Sequence, residues 1–65
     1  MTKLKAARIR SGMTQAEAAA AAGISLRTYQ DYEQGTKRSI NMAAAITALR
    51  LADALDVPIR DLMED

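Results

Sequence analysis

The stretch TQAEAAAAAGISLRTYQDYEQG, residues 14–35, constrains the fold more than any other part of this 65-residue chain. Thr14 and Glu17 have the spacing of a T-x-x-E capping box, which predicts that a helix begins just after the threonine. The alanine-rich run that follows favours a helix over residues 15–22, because alanine is the best helix former. Gly23 comes next, and a residue that adopts a positive φ without strain can end that helix.

The second half of the same stretch predicts another short helix. Ser25 is a good N-cap for a helix that continues to Gln34, and Gly35 can end it. About three residues separate this helix from the one before it. Two short helices joined by a tight glycine turn form a helix-turn-helix, and the functional interpretation depends on this assignment.

The whole chain is predicted to be all-α, as one domain spanning residues 1–65. β-branched residues nowhere alternate with polar ones over the length of a strand. Asn41 is a fair N-cap, and Pro58 suits the first turn of a last helix. The five predicted helices cover about 2–11, 15–22, 25–34, 41–55 and 58–64.

The apolar residues predict which helix faces form the core. In the helix over 25–34, Tyr29 and Tyr32 share an inward face with Ile24, while Leu26, Arg27, Gln30 and Asp31 point outward. The helix over 41–55 carries the largest apolar stripe. Its members are Met42, Ala45, Ile46, Leu49, Ala52 and Leu55, with Leu51 off the stripe.

The composition excludes several kinds of chemistry. The sequence contains no cysteine and no histidine, which removes disulfides, the usual zinc ligands, cysteine nucleophiles and histidine bases. It also lacks a glycine-rich phosphate loop, so we expect no enzyme, metal or cofactor. The N-terminus has no long apolar segment typical of a signal peptide, and no apolar run is long enough to span a membrane. A cytoplasmic protein is the expectation.

The charges are unevenly distributed along the chain. Residues 1–38 carry seven basic and three acidic side chains, whereas residues 39–65 carry two basic and five acidic ones. A DNA-binding domain with one side facing phosphates has this polarity. Ordinary scatter of solvated surface charges is the alternative explanation.

Several short motifs also resemble a known family. They are L-x-x-x-R near the N-terminus, G-M-T-Q-A-E-A-A, G-I-S-x-R-T-Y, Y-E-Q-G and L-A-D-A-L-D-V. In this order they are similar to the Cro/C1-type (XRE-family) helix-turn-helix domain of phage repressors and bacterial regulators. The resemblance implies a five-helix lambda-repressor-like fold and sequence-specific binding of double-stranded DNA. It further implies a small transcriptional regulator that binds DNA as a homodimer, with helix 25–34 in the major groove.

The resemblance also implies roles for individual residues. The positions that face base edges are Leu26, Arg27, Thr28, Gln30 and Asp31. The positions that meet phosphates are Gln15, Ser25, Lys37 and Arg38. An ion pair between Arg8 and Glu33 is implied to be structural.

Two departures from the family pattern affect these expectations. Ala18 and Ala22 stand where larger aliphatic residues are usual, so we expect Tyr29 and Tyr32 to fill the missing volume. Asp31 places a carboxylate on the presumed DNA face, where it is unfavourable unless it accepts a hydrogen bond from a cytosine amine. A protein-interaction module or an antitoxin-like partner that keeps the fold is therefore the alternative function.

Overall fold

A computed structural model describes residues 1–35 and 39–64, and all regular structure in these ranges is helical. The α-helices are α1 (Lys3–Ser11), α2 (Gln15–Ala22), α3 (Leu26–Gln34) and α4 (Ala45–Leu55). Two short 3-10 turns, Ile40–Met42 and Ile59–Asp61, precede and follow α4. The all-α prediction is confirmed, with four α-helices in the described ranges instead of five. No helix within those ranges is both long and apolar enough to cross a membrane.

The ends of the first three helices are determined by local sequence. Each begins after a threonine or serine whose hydroxyl oxygen accepts a backbone N–H of the first turn, and each ends at a glycine with positive φ. The capping residues are Thr2, Thr14 and Ser25, and the glycines are Gly12, Gly23 and Gly35. The predicted capping box is confirmed, because the Thr14 N–H donates to Glu17 Oε1 at 2.8 Å and the Glu17 N–H donates to Thr14 Oγ1 at 3.1 Å.

The fourth helix begins four residues later than predicted. Asn41 is not its N-cap, because the Asn41 side chain donates to the Glu64 carbonyl at 2.6 Å and accepts the Glu64 N–H at 2.8 Å. Ser39 instead caps the preceding 3-10 turn by accepting the Asn41 N–H. Ala44 then takes a ψ of 144°, outside the helical region, so α4 begins at Ala45.

The predicted helix over 58–64 is only the 3-10 turn Ile59–Asp61. Pro58 lies outside the turn, with an extended ψ of 146°. The Glu64 N–H, which an α-helix would direct to a carbonyl four residues earlier, is bonded to Asn41 instead. The same tertiary contact therefore accounts for both corrections at this end of the chain.

The core lies where α2 packs against α3 and α4, with α1 and the last turn closing it. Ala18 and Ala22 are buried on α2, and Tyr29 is the largest fully buried side chain in the described residues. Tyr32 is also buried, and Met13 and Ile24 pack against the edge of the core. The two α3 tyrosines therefore lie in the same buried cluster as Ala18 and Ala22 of α2.

The apolar stripe predicted to be the core face of α4 is wrong in its first half. The buried residues of α4 are Ala48, Leu51, Ala52 and Leu55. Met42, Ile46 and Leu49 are 79%, 55% and 49% exposed, and Ala45 is exposed as well. Both sets have helical spacing and both are apolar, so periodicity did not distinguish them. We refer to Ala45, Ile46 and Leu49, together with Met42 of the preceding 3-10 turn, as the α4 apolar face.

Candidate nucleic-acid interface

The turn between α2 and α3 is closed by backbone hydrogen bonds. Gly23 has a φ of 72°, and its N–H donates to the Ala20 carbonyl at 3.1 Å. The Ile24 N–H donates to the Ala19 carbonyl, also at 3.1 Å. These bonds satisfy carbonyls at the end of α2 and fix the direction in which α3 leaves it.

The five positions that the family resemblance implies to face base edges all lie on α3 and are all at least partly exposed, unlike the buried Tyr29 and Tyr32. Leu26 and Arg27 are exposed at its first turn. Thr28, Gln30 and Asp31 are partly exposed, and Asp31 forms an i, i+4 ion pair with Arg27. The structure thus leaves these five side chains of different chemistry at least partly exposed on a helix whose other side is packed in the core.

The four positions that the resemblance implies to meet phosphates differ in their surroundings. Gln15 opens α2 and is half-buried, with its side chain bonded to α3. The Ser25 hydroxyl accepts the Thr28 N–H at 3.1 Å and donates to Thr28 Oγ1 at 3.0 Å, so its oxygen acts as a helix cap. Lys37 and Arg38 lie outside the described residues.

Arg8 and Glu33 form an ion pair between α1 and α3 beneath this surface. Arg8 Nε donates to Glu33 Oε2 at 2.5 Å, and Arg8 Nη1 donates to the Met13 carbonyl at 3.0 Å. The Tyr29 hydroxyl donates to the same Glu33 oxygen at 2.6 Å. These contacts join α1, the Met13 segment and α3 at the buried side of α3.

Burial and hydrogen bonding around Glu33 shift the pKa values of Glu33 and Tyr29. Burial raises the pKa of the Glu33 carboxyl, but hydrogen bonds from Arg8, Tyr29 and Gln15 outweigh that effect and lower the pKa. Burial, reinforced by the hydrogen bond to Glu33, raises the pKa of the Tyr29 hydroxyl. Glu33 is therefore a carboxylate at neutral pH, which matters because a carboxylate accepts hydrogen bonds only.

Two features of this region were not predicted from sequence. Gln15 Nε2 donates to Glu33 Oε1 at 3.1 Å, and Gln30 Nε2 donates to Gln15 Oε1 at 3.2 Å, which joins α2 to α3 through side-chain amides. Arg50 of α4 places its guanidinium beside Gly23, so close that a Cβ at Gly23 would lie 3.0 Å from Arg50 Nη1. No sequence signal identifies either contact, because both depend on how α2 packs against α3 and how α4 packs against the turn between them.

Two short helices with a glycine turn, one of them backed by the core and presenting a mixed polar surface, define a helix-turn-helix protein. The helix-turn-helix family model matches residues 4–62. The chain therefore belongs to the Cro/C1-type (XRE) helix-turn-helix family, a family of DNA-binding regulators. The comparisons with curated proteins and with solved structures give no match.

Proposed function

We propose that this protein binds a specific sequence of double-stranded DNA as a small transcriptional regulator of the phage-repressor type, with α3 in the major groove. One observation carries the proposal. The buried face of α3, formed by Tyr29, Tyr32 and Glu33, fixes the helix, while Leu26 and Arg27 at its first turn are exposed. Helix-turn-helix domains present the N-terminal residues of their recognition helix to base edges in this way.

The side chains on α3 suit different base edges. Arg27 fits the two acceptors of guanine, and Leu26 fits a thymine methyl group. Thr28 and Gln30 offer hydrogen bonds beside them, and Asp31 suits a cytosine amine. A good bidentate contact contributes about 1–3 kcal/mol of discrimination against a wrong base, so Arg27 is expected to be the strongest single determinant.

Phosphate contacts are proposed at the start of α2 and at the two ends of α3. Gln15 lies at the N-terminus of α2, where the helix dipole and free N–H groups favour an anion. Ser25 lies at the N-terminus of α3, and Lys37 and Arg38 add positive charge in the sequence that follows Gly35. Such contacts hold the protein in register without reading sequence.

A homodimer is proposed on the basis of the α4 apolar face. The core does not use Met42, Ile46 or Leu49, so these side chains are available for contact with a second copy. A two-fold interface is self-complementary, and an uncharged helix face can pack against its own copy. Two recognition helices about 34 Å apart would then read half-sites on one face of the DNA.

The test is selection of bound sequences from random duplexes, followed by affinity measurements at two salt concentrations. We expect a defined site to be enriched, and we expect log K to fall with log salt at about −0.9 per neutralised phosphate. Arg27→Ala should remove the preference for at least one base pair while the fold persists. Arg60→Ala is the matched control, because Arg60 is an exposed arginine in the last turn, which packs on α1 and α4. Absence of binding at low salt, or binding that is independent of salt, overturns the proposal.

A protein-interaction module is the second candidate, and the α4 apolar face is the observation that favours it. An exposed row of Met42, Ile46 and Leu49 suits an apolar surface of another protein as well as a second copy. A stoichiometric protein partner that co-purifies with a chain lacking DNA affinity would support this function. Selective DNA binding by the isolated chain would contradict it.

A further inference from the structure

We propose that Glu33 is a positioning residue that acts through Gln15 to orient the side-chain amide of Gln30 toward an adenine. The inference rests on the proposed function, in which α3 enters the major groove. It assigns to the inner ion pair a role in sequence reading as well as in packing. It also assigns a base type to Gln30.

The chain of hydrogen bonds begins at a saturated carboxylate. The Glu33 side chain is 3% exposed. Its Oε2 accepts from Arg8 Nε and from the Tyr29 hydroxyl, and its Oε1 accepts from Gln15 Nε2 at 3.1 Å. A carboxylate has no proton to donate, so the Gln15 amide must turn its NH₂ group toward Glu33.

The orientation of Gln15 then determines the orientation of Gln30. With its NH₂ group facing Glu33, Gln15 directs its carbonyl oxygen Oε1 the other way, where it accepts from Gln30 Nε2 at 3.2 Å. A carbonyl oxygen also accepts only, so Gln30 must present its NH₂ group to Gln15. Because the Glu33 carboxylate only accepts hydrogen bonds, it determines through Gln15 that the NH₂ group of Gln30 faces α2.

The remaining groups of Gln30 match one base. Its carbonyl oxygen and its second N–H have no hydrogen-bond partner among the described residues. An acceptor beside a donor complements the N6 amine and the N7 acceptor of adenine, which is the bidentate pairing of glutamine in the major groove. Because Gln15 already restricts the amide, less conformational freedom is lost when the base is bound.

The first test reads the orientation in the free protein, without DNA. Side-chain amide resonances of Gln15 and Gln30 are recorded by NMR for the wild type and for Gln15→Met, a substitution that leaves the Arg8–Glu33 pair in place. We expect the Gln30 amide of the wild type to give two well-separated proton resonances with slow solvent exchange. In Gln15→Met they should move to the positions of Gln34, an exposed glutamine one turn further along α3. Gln30 resonances that do not respond to Gln15→Met overturn the inference.

The second test reads specificity in a double-mutant cycle. At the base pair that Gln30 contacts, adenine preference should fall about 5- to 150-fold in Gln30→Met and by a smaller factor in Gln15→Met. The double variant should be no worse than Gln30→Met alone, because Gln15 acts on this base only through Gln30. Gln34→Met is the matched control and should leave the preference unchanged.

The outcomes separate the two proposals. If Gln15→Met weakens binding to all sequences equally, or if the two substitutions multiply in their effects on adenine preference, Gln15 is a phosphate contact only and the inference is wrong. If the wild type selects no sequence at all, the proposed function fails. The NMR result then still reports whether Gln15 orients the Gln30 amide.

Discussion

Arg27 Nε lies 3.7 Å from Asp31 Oδ1, one turn apart on the outer side of α3. The Arg27 side chain is 77% exposed, whereas that of Asp31 is 14% exposed. An i, i+4 ion pair on a helix contributes only about 0.3–0.5 kcal/mol to stability. Under the proposed function the pair has a further role, because the carboxylate lies against the side chain proposed to read guanine and we expect the two to act together.

Replacing Asp31 by asparagine should increase affinity for DNA of random sequence and reduce discrimination at one base pair. The substitution removes a negative charge close to phosphates and frees Arg27 from its partner. The measurement is binding to the selected site and to random duplex at two salt concentrations, with Asp53→Asn on α4 as the control for net charge. Unchanged affinity for random duplex would show that Asp31 does not face the DNA.

Replacing Ile46 by glutamate should convert a dimer into a folded monomer. Ile46 is 55% exposed in the centre of the α4 apolar face, so the change places a charge in the proposed interface without disturbing the core. Analytical ultracentrifugation gives the mass, and circular dichroism shows that the helices persist. Ile9→Glu is the matched control, since Ile9 on α1 is 52% exposed. Two results would contradict this prediction. The wild-type chain could bind a two-fold symmetric site as a monomer, or the Ile46→Glu variant could still dimerise.

Removal of one member of the Arg8–Glu33 pair should be strongly destabilising. Arg8→Met leaves the Glu33 carboxylate buried without its cation, which costs about 3–5 kcal/mol for a pair of this type. The double variant Arg8→Met, Glu33→Leu should recover part of the loss, because no buried charge remains. Urea unfolding followed by circular dichroism gives the free energies. Additive losses in the double variant would show that the two side chains are not coupled.

Stability should fall as the pH is lowered. The pKa of the Glu33 carboxyl is lowered in the folded protein, so its contribution is complete above the ordinary glutamate pKa of about 4.3. That contribution is lost as the pH falls through this value toward the folded pKa, because the unfolded chain binds the proton more readily. Urea midpoints between pH 7 and pH 3 measure the effect.

Glu33→Gln is the comparison for the pH series. The variant should be less stable at pH 7 and should lose less stability on acidification, since its side chain does not titrate. The difference between the two curves isolates Glu33 from the other carboxyl groups. Parallel curves for the wild type and the variant would contradict the role given to this carboxyl.

The local sequence was sufficient for the first three helices and for the surface they present. Thr14, Ser25 and the glycines at positions 12, 23 and 35 act on backbone groups within a few residues, so their effects can be read without a partner. The i, i+3 spacing of Tyr29 and Tyr32 predicted the inner side of α3, because residues three apart lie on one face of a helix. The family resemblance added the Arg8–Glu33 pair, which is present in the structure.

Tertiary structure decided the rest. Asn41 has the side chain of an N-cap, but the backbone of Glu64 occupies it, and the start of α4 moves accordingly. Two apolar stripes on α4 have helical spacing, and either could have faced the core. In the structure, where α4 packs against α2, Leu51 is buried and Ile46 is exposed. The amide chain from Glu33 through Gln15 to Gln30 likewise exists only once α2 and α3 have crossed. The sequence alone determined where the first three helices begin and end, because capping is local. The buried face of α4 and the side-chain hydrogen bonds between helices were left to packing, because those contacts join residues far apart in the chain.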